Sequence, residues 1–131
     1  MFVDAVKGVC ATICVDGQKL PEYSDESDAS PPQIASCYVE SVPGKQFAID
    51  LALTPEFPWH EDQVSFRVHS DGRLVDKKTV DVTPLAERDV RARIDGRLEF
   101  VKDQWVHTRL EFAAHGMCKF SGAEVCNVAK F

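Results

Sequence analysis

Cysteine and histidine side chains are the groups of this sequence best suited to nucleophilic catalysis or metal binding. A thiol–imidazole pair could join Cys37 or Cys118 to one of the four histidines, which are His60, His69, His107 and His115. No local motif supports such a pairing, so it rests on residue types alone. We therefore predict no catalytic residues and keep a cysteine-dependent enzyme as an alternative.

Metal binding is poorly supported by the spacing of potential ligands. Cys10 and Cys14 would lie about 13 Å apart in an extended strand, too far for one zinc ion to bind both thiols. The acidic residues at positions 22–28 lack the dense Asp-x-Asp-x-Asp spacing of a calcium loop. We predict no metal and no cofactor, and we interpret the five cysteines as free thiols of an intracellular protein.

Charge is unevenly distributed along the chain. The 15 basic and 21 acidic residues give a net charge of −6. Residues 1–65 hold eleven acids and three bases, a charge of −8, whereas residues 66–131 hold ten acids and twelve bases, a charge of +2. The overall negative charge disfavours nucleic acid as a partner, because phosphate contacts supply most nonspecific affinity. No apolar run reaches the length of about eighteen residues that a membrane span needs.

Arginine residues form the one basic cluster and the main candidate site for a partner. A carboxylate or phosphate of a partner could bind Arg88, Arg91, Arg93 and Arg97. The alternative is cross-strand ion pairing with Asp89 and Asp95, which are interleaved with these arginines. We add three further candidate partner-binding residues, namely Trp59, Glu22 and Tyr23.

Tight turns between alternating apolar and polar stretches predict the elements that position these residues. Asp-Gly is a strong hairpin signal, since glycine adopts positive φ freely and aspartate tolerates it. The sequence predicts hairpins at Asp16-Gly17, Asp71-Gly72 and Asp95-Gly96, and a further one at Pro43-Gly44. Lys77 and Lys78 favour an edge position for the strand after Asp71-Gly72.

Many short strands separated by such turns predict an all-β fold. We expect one domain over residues 1–131, an antiparallel β-sandwich of jelly-roll or immunoglobulin-like topology, with a flattened barrel as the alternative. Residues 85–93 could instead form one short helix, and residues 24–33 are expected to be a mobile acidic loop rich in Ser and Pro. The predicted core contains Phe47, Ile49, Leu51, Val64, Phe66, Val68 and Ile94.

Two segments of the first half resemble a known family. Residues 15–23, V-D-G-Q-K-L-P-E-Y, are followed after the acidic loop by residues 37–49, C-Y-V-E-S-V-P-G-K-Q-F-A-I. This pattern is similar to an uncharacterised fungal domain family with a V-D-G-x-x-L-x-E-Y motif, and the similarity covers about the first 80 residues. The resemblance implies a fungal, intracellular, β-rich domain with no assigned activity, and it carries over no catalytic residues.

Together these observations predict a non-enzymatic module for protein–protein interaction. The partner is another protein or a second copy of the chain, since closed homodimers are the commonest soluble oligomers. One alternative is a ligand-binding β-sandwich with an apolar pocket ringed by Phe57, Trp59 and Trp105. The cysteine-dependent enzyme is the other alternative.

Overall fold

Strands dominate the described part of the chain. The computed structural model describes residues 7–24, 37–70 and 72–113, so most of the expected acidic loop, as well as His115, Cys118 and Cys126, lies outside the described residues. The elements in chain order are β1 Val9–Val15, β2 Gln18–Lys19, β3 Glu22–Ser24, β4 Cys37–Val39, β5 Phe47–Leu53, β6 Gln63–Ser70, β7 Arg73–Asp81, a 3-10 helix Thr83–Ala86, β8 Val90–Ile94, β9 Gly96–Val101 and β10 Gln104–Arg109.

All pairings between these strands are antiparallel, which confirms the all-β prediction. A four-stranded sheet has the order β2-β1-β5-β8, and three two-stranded sheets consist of β3–β4, β6–β7 and β9–β10. None of these sheets closes on itself within the described residues, so the flattened-barrel alternative is wrong for them. The jelly-roll and immunoglobulin-like topologies stay predictions.

The core joins the four-stranded sheet to the β6–β7 hairpin. Its buried side chains come from β1, β5, β6 and β8 and from the segment between β7 and β8; they are Ala11, Ile49, Leu51, Leu53, Phe66, Val68, Val82, Leu85, Ala92 and Ile94. Phe47 and Val64 are partly buried against this cluster. The seven predicted core residues therefore all lie in or against the core, as their alternation indicated.

Two of the predicted hairpin turns are confirmed. Asp16 and Gly17 have φ angles of 50° and 77° and reverse the chain between β1 and β2. The second lies between β6 and β7, which pair as far as Ser70 and Arg73, and Gly72 has a φ angle of 75°. Positive φ at the turn matches the twist of the paired strands and explains the glycines.

The hairpin predicted at Pro43-Gly44 is wrong. A turn is present, with the Lys45 N–H donating to the Val42 carbonyl at 3.0 Å, but it does not join paired strands. β4 pairs with β3, whereas β5 pairs with β1 and β8. The central place of β5 reflects its nearly continuous apolar sequence, Phe47–Leu53, which is buried best between two neighbours.

The hairpin predicted at Asp95-Gly96 is also wrong. The chain runs from β8 through Asp95 directly into β9, and it reverses at Lys102 and Asp103, whose φ angles are 48° and 61°. Gly96 has a different role. A Cβ atom there would collide with the Thr108 carbonyl and would lie 2.7 Å from Nε2 of His107, so the glycine permits close approach of β10.

The short helix considered for residues 85–93 is wrong as well. A 3-10 helix covers Thr83–Ala86, and β8 begins at Val90. The side chain of Asp81 accepts hydrogen bonds from the backbone N–H and the hydroxyl of Thr83 at 2.8 and 2.7 Å. These bonds, the backbone one first, lower the pKa of the Asp81 carboxyl. They fix the start of the turn that buries Leu85.

Candidate functional site

The β9–β10 hairpin carries most of the large apolar side chains that the described residues expose. Of the eight such residues, five lie on these two strands; they are Leu98, Phe100, Val101, Trp105 and Val106. Trp105 is 68% exposed, more than any other large hydrophobic residue in the described part. A soluble domain rarely exposes adjacent large apolar side chains without use, so this hairpin is the candidate functional site.

Strand register divides the hairpin into two different faces. Phe100 is paired with Trp105 and Leu98 with His107, and because directly paired residues share a face, these four side chains lie together. We call Leu98, Phe100 and Trp105 the apolar face. The rings of Phe100 and Trp105 are 5.2 Å apart between centroids and inclined at 57°, a favourable tilted contact.

The opposite face of the hairpin is mixed. It carries Arg97, Glu99, Val101, Gln104, Val106 and Thr108. Arg97 and Glu99 form an ion pair at 2.9 Å. This face therefore combines charge with two valines, whereas the apolar face combines aromatic and aliphatic side chains.

Asp95 fixes the base of the hairpin. One carboxylate oxygen lies 3.3 Å from Nε2 of His107, and the other accepts a hydrogen bond from Nη1 of Arg109 at 3.5 Å. The Asp95 carbonyl also accepts the Leu110 N–H at 2.8 Å. A single residue between β8 and β9 thus binds the end of β10 through side chain and backbone, and holds the hairpin in one orientation at its base.

Beyond the hairpin the chain returns to the main sheet. The Leu110 carbonyl accepts the Phe47 N–H at 3.0 Å, and the Phe112 N–H donates to the Lys45 carbonyl at 3.0 Å. The rings of Phe47 and Phe112 stack with centroids 4.5 Å apart. Both ends of the hairpin are therefore bonded to the packed part of the domain, while all six residues of β10 stay exposed.

The predicted arginine cluster is divided between strands and is largely ion-paired. Arg91 and Arg93 lie on β8, where Arg91 pairs with Asp89 at 3.4 Å and Arg93 with Asp50 at 3.5 Å. Arg97 lies on β9 with Glu99, and Arg88 follows the 3-10 helix, where its N–H donates to Pro84. Asp89 lies two residues before Arg91 on the same segment, so their pair is not the cross-strand pairing that was expected, and Asp95 binds His107 and Arg109 instead. The cross-strand pair of this cluster is that of Arg93 with Asp50 on β5.

The other predicted partner-binding residues lie elsewhere. Glu22 and Tyr23 are on β3 in a separate two-stranded sheet, with Glu22 3.4 Å from Nζ of Lys19 and Tyr23 exposed. Trp59 lies in the loop after β5, where its N–H donates to the Phe57 carbonyl at 2.9 Å. Phe57 packs against the core, but Trp59 is partly exposed and Trp105 is on the hairpin. The predicted residues thus fall on several separate elements.

Cys14 and Cys37 have the electrostatics of structural cysteines. Sγ of Cys14 donates to Oδ2 of Asp50 at 3.2 Å, and burial, followed by this bond, raises the pKa of the thiol. Burial, followed by the charge of Glu22, raises the pKa of Cys37. A nucleophilic cysteine needs the opposite shift. No group of three or more potential ligands for a metal ion occurs within residues 7–24, 37–70 and 72–113.

Sequence reasoning missed the hairpin as a site, although one signal was present. Leu98 and Phe100 alternate with charged residues, and the same pattern predicts a strand with a buried face. Lys102-Asp103 separates two alternating stretches, but it contains no glycine and is a weak turn signal. The exposure of the apolar face is visible only once the neighbouring strands are placed.

The fold and this surface define the class of the protein: an all-β domain of antiparallel sheets with an exposed apolar hairpin. The chain belongs to the family described as Domain of unknown function (DUF7918), which matches residues 8–124. This confirms the predicted membership of an uncharacterised domain family. No curated protein and no solved structure matches the chain. Among the described residues, no helix has the length and apolar character needed to cross a membrane.

Proposed function

We propose that this domain is a non-enzymatic protein–protein interaction module of an intracellular fungal protein, and that the β9–β10 hairpin is its contact surface. The observation that carries the proposal is the apolar face, on which Leu98, Phe100 and Trp105 are each more than half exposed, at 59%, 58% and 68%. Aromatic side chains in the centre of a contact supply most of the binding energy in many protein interfaces.

The surroundings of the apolar face also suit a protein partner. His107 lies beside it, and Arg97, Glu99 and Arg109 lie on the same two strands and are at least partly exposed. An apolar centre with a charged rim is the usual anatomy of such interfaces. The Arg93 side chain on β8 is half-exposed but paired with Asp50, so we assign β8 a lesser role than the hairpin.

The hairpin is arranged before any partner binds. Asp95 holds its base, the Phe100–Trp105 ring contact orders the distal part, and Gly96 permits close strand approach. A contact surface that is already ordered loses less conformational entropy on binding. This order favours recognition of a folded partner or an extended strand.

A photo-crosslinking experiment tests the proposal. The full chain would be produced in fungal cells with the photoreactive residue p-benzoylphenylalanine at Phe100, and irradiated. Tyr23 on β3 is the matched control site, because it is an exposed aromatic residue in the separate β3–β4 sheet. We expect discrete protein adducts from position 100, few from position 23, and loss of the adducts with Trp105→Ser.

Equal adduct patterns from both positions, or none from position 100, would contradict the proposed contact surface. Adducts from position 100 that persist in Trp105→Ser would show contact without a role for the apolar face, and would also contradict it. An adduct with a second copy of the chain counts as a protein adduct here.

A further inference from the structure

The outer edge of β10 lacks the features that usually prevent strand pairing. Among the described residues β10 pairs with β9 alone, and all six of its residues are exposed. Edge strands are commonly protected by lysine, proline or a bulge. β7 carries Lys77 and Lys78 and a register shift in its pairing with β6, whereas β10, Q-W-V-H-T-R, has none of these and one arginine at its end.

Register identifies the backbone groups on this edge. Val101 and Gln104 flank the two-residue turn, so they form a hydrogen-bonded pair, and such pairs alternate along the hairpin. Val106 and Thr108 therefore bond to β9. The N–H and C=O groups of Trp105, His107 and Arg109 point away from β9, towards the outer edge.

We propose that a second copy of this chain pairs with this edge, β10 against β10 in antiparallel orientation, with Val106 opposite the partner's Val106. The proposal rests on the proposed function, because it names the partner of the same hairpin. Two-fold symmetry makes each contact occur twice. The outward groups of Trp105 then meet those of the partner's His107, as strand hydrogen bonding requires.

Side-chain complementarity favours this register. It places Thr108 opposite the partner's Gln104, a polar pair, and brings Arg109, which also contacts Asp95, next to the partner's Asp103 in the β9–β10 turn, so that opposite charges meet. A register shifted by two residues towards the end of β10 would instead place His107 opposite the partner's His107 and bring Asp103 to the partner's Glu111, a like charge. The register centred on Val106 is therefore more complementary in charge than this shifted register.

The joined hairpins would form a four-stranded sheet with the order β9-β10-β10-β9. Residues opposite each other share a face, so the indole of Trp105 would lie beside the imidazole of the partner's His107. The two apolar faces would become continuous across the axis. Pairing would also satisfy the outer-edge backbone groups of both copies.

Sedimentation of the purified full chain over a range of concentrations is the first test. We expect the apparent mass to rise to twice the monomer mass as concentration increases. His107→Pro removes an outward N–H and should keep the chain monomeric, while His107→Ala, which also loses the contact with Asp95, should still dimerise. A chain that is monomeric throughout, or two variants that behave alike, would overturn the proposal.

A pair of cysteine variants tests the register. Val106→Cys should form an intermolecular disulfide at least about tenfold faster than Thr108→Cys, because opposed residues at the axis have Cα atoms about 4.5 Å apart. Thr108 lies on the same face of β10, but the two copies of it would be about 13 Å apart. The wild-type chain measures the background from native cysteines. Equal rates would overturn the register.

The two proposals fail in different ways. If the purified chain stays monomeric but position 100 still forms Trp105-dependent adducts in cells, self-pairing is wrong and the interaction module stands. If neither dimer nor adduct forms, both are wrong. Dimers that depend on Trp105 but are insensitive to His107→Pro would indicate face-to-face packing and would overturn edge pairing.

Discussion

β8 and β9 form one alternating row of apolar side chains with two opposite environments. On β8 the row includes Ala92 and Ile94, which are buried, and on β9 it continues with Leu98 and Phe100, which are exposed. Residues separated by two share a face of an extended strand, so the pattern itself is the same on both sides of Asp95. Alternation thus shows which side chains lie together, but not whether another layer covers them.

The difference arises from the neighbours of each strand. β8 pairs with β5, and its inner side chains pack with those of β5 and β6 in the core. β9 pairs with β10, whose residues are all exposed. The apolar character of β9 therefore does not serve the core of the described domain, which is why we assign it to a partner. We refer to β1, β5, β6 and β8 as the body, in contrast with the hairpin.

A pair of leucines gives the largest expected difference between body and hairpin. Leu53→Ala should lower the free energy of unfolding by about 2–5 kcal/mol, because it leaves a cavity in the core. Leu53 is fully buried and Leu98 is 59% exposed. Leu98→Ala should therefore change the free energy by no more than about 0.5 kcal/mol. Urea denaturation at low protein concentration measures both. Equal losses would contradict the division into a packed body and an exposed hairpin.

Gly96→Ala tests the connection between the body and the hairpin. The added methyl group would collide with the Thr108 carbonyl and approach Cα of Arg109 to 2.9 Å. We expect a loss of about 1–3 kcal/mol, as for other overpacked sites, together with faster amide exchange in β10. The neighbouring Arg97→Ala, at an exposed position, is the control and should retain the exchange pattern. Unchanged exchange in Gly96→Ala would show that close approach of β10 is dispensable.

Asp103→Gly should strengthen the hairpin without changing the body. Asp103 has a φ angle of 61°, a conformation that glycine adopts more easily. The variant should gain up to about 1 kcal/mol in hairpin stability, measured as slower exchange of the Val106 amide. Gln104→Gly, one residue further and inside β10, should speed that exchange. The proposal of self-pairing adds that Asp103→Gly should weaken dimerisation, since Arg109 of each copy would lose the carboxylate of the other copy's turn and keep only Asp95.

Much of the body was predictable because its signals are local and agree with one another. Ile49 and Leu51 on β5, and Phe66 and Val68 on β6, recur at every second position, as the buried face of a strand requires. The Asp-Gly turns after β1 and β6 match the twist of the strands that they join. The hairpin predicted at the third Asp-Gly pair, Asp95-Gly96, was wrong, because Gly96 is required by a contact with β10 rather than by a turn. Such a contact joins residues on different strands and leaves no sign in local sequence.

The candidate site was less predictable for the same reason. Arg91, Arg93 and Arg97 are close in sequence, but their ion pairs are distributed over two strands and involve Asp50, which is distant in the chain. Conversely, Phe100 and Trp105 have the pattern of core residues, and only the placement of β9 and β10 shows that both are exposed. Whether a strand face is buried depends on which other elements pack on it, and the local sequence of the strand does not show this.

The smallest expected effect is a pH dependence that belongs to the body. The pKa of Cys14 is raised above its usual value of 9.0, first by burial and then by its bond to Asp50. Its contribution to stability is complete below that value, and it is lost as pH rises towards the raised pKa of the folded state. Cys14→Ala should therefore reduce the decline in the free energy of unfolding above pH 9, measured by urea denaturation. Thr12→Ala on the same strand is the control and should keep the wild-type decline.

Amide exchange along β10 tests the central claim most directly, because alternate residues face β9 and the outer edge. In dilute solution the amides of Val106 and Thr108 should be protected, and those of Trp105 and His107 should exchange rapidly. At high protein concentration the account predicts that Trp105 and His107 become protected as the second copy pairs with the edge. Exchange rates at Trp105 and His107 that are the same at both concentrations would contradict it.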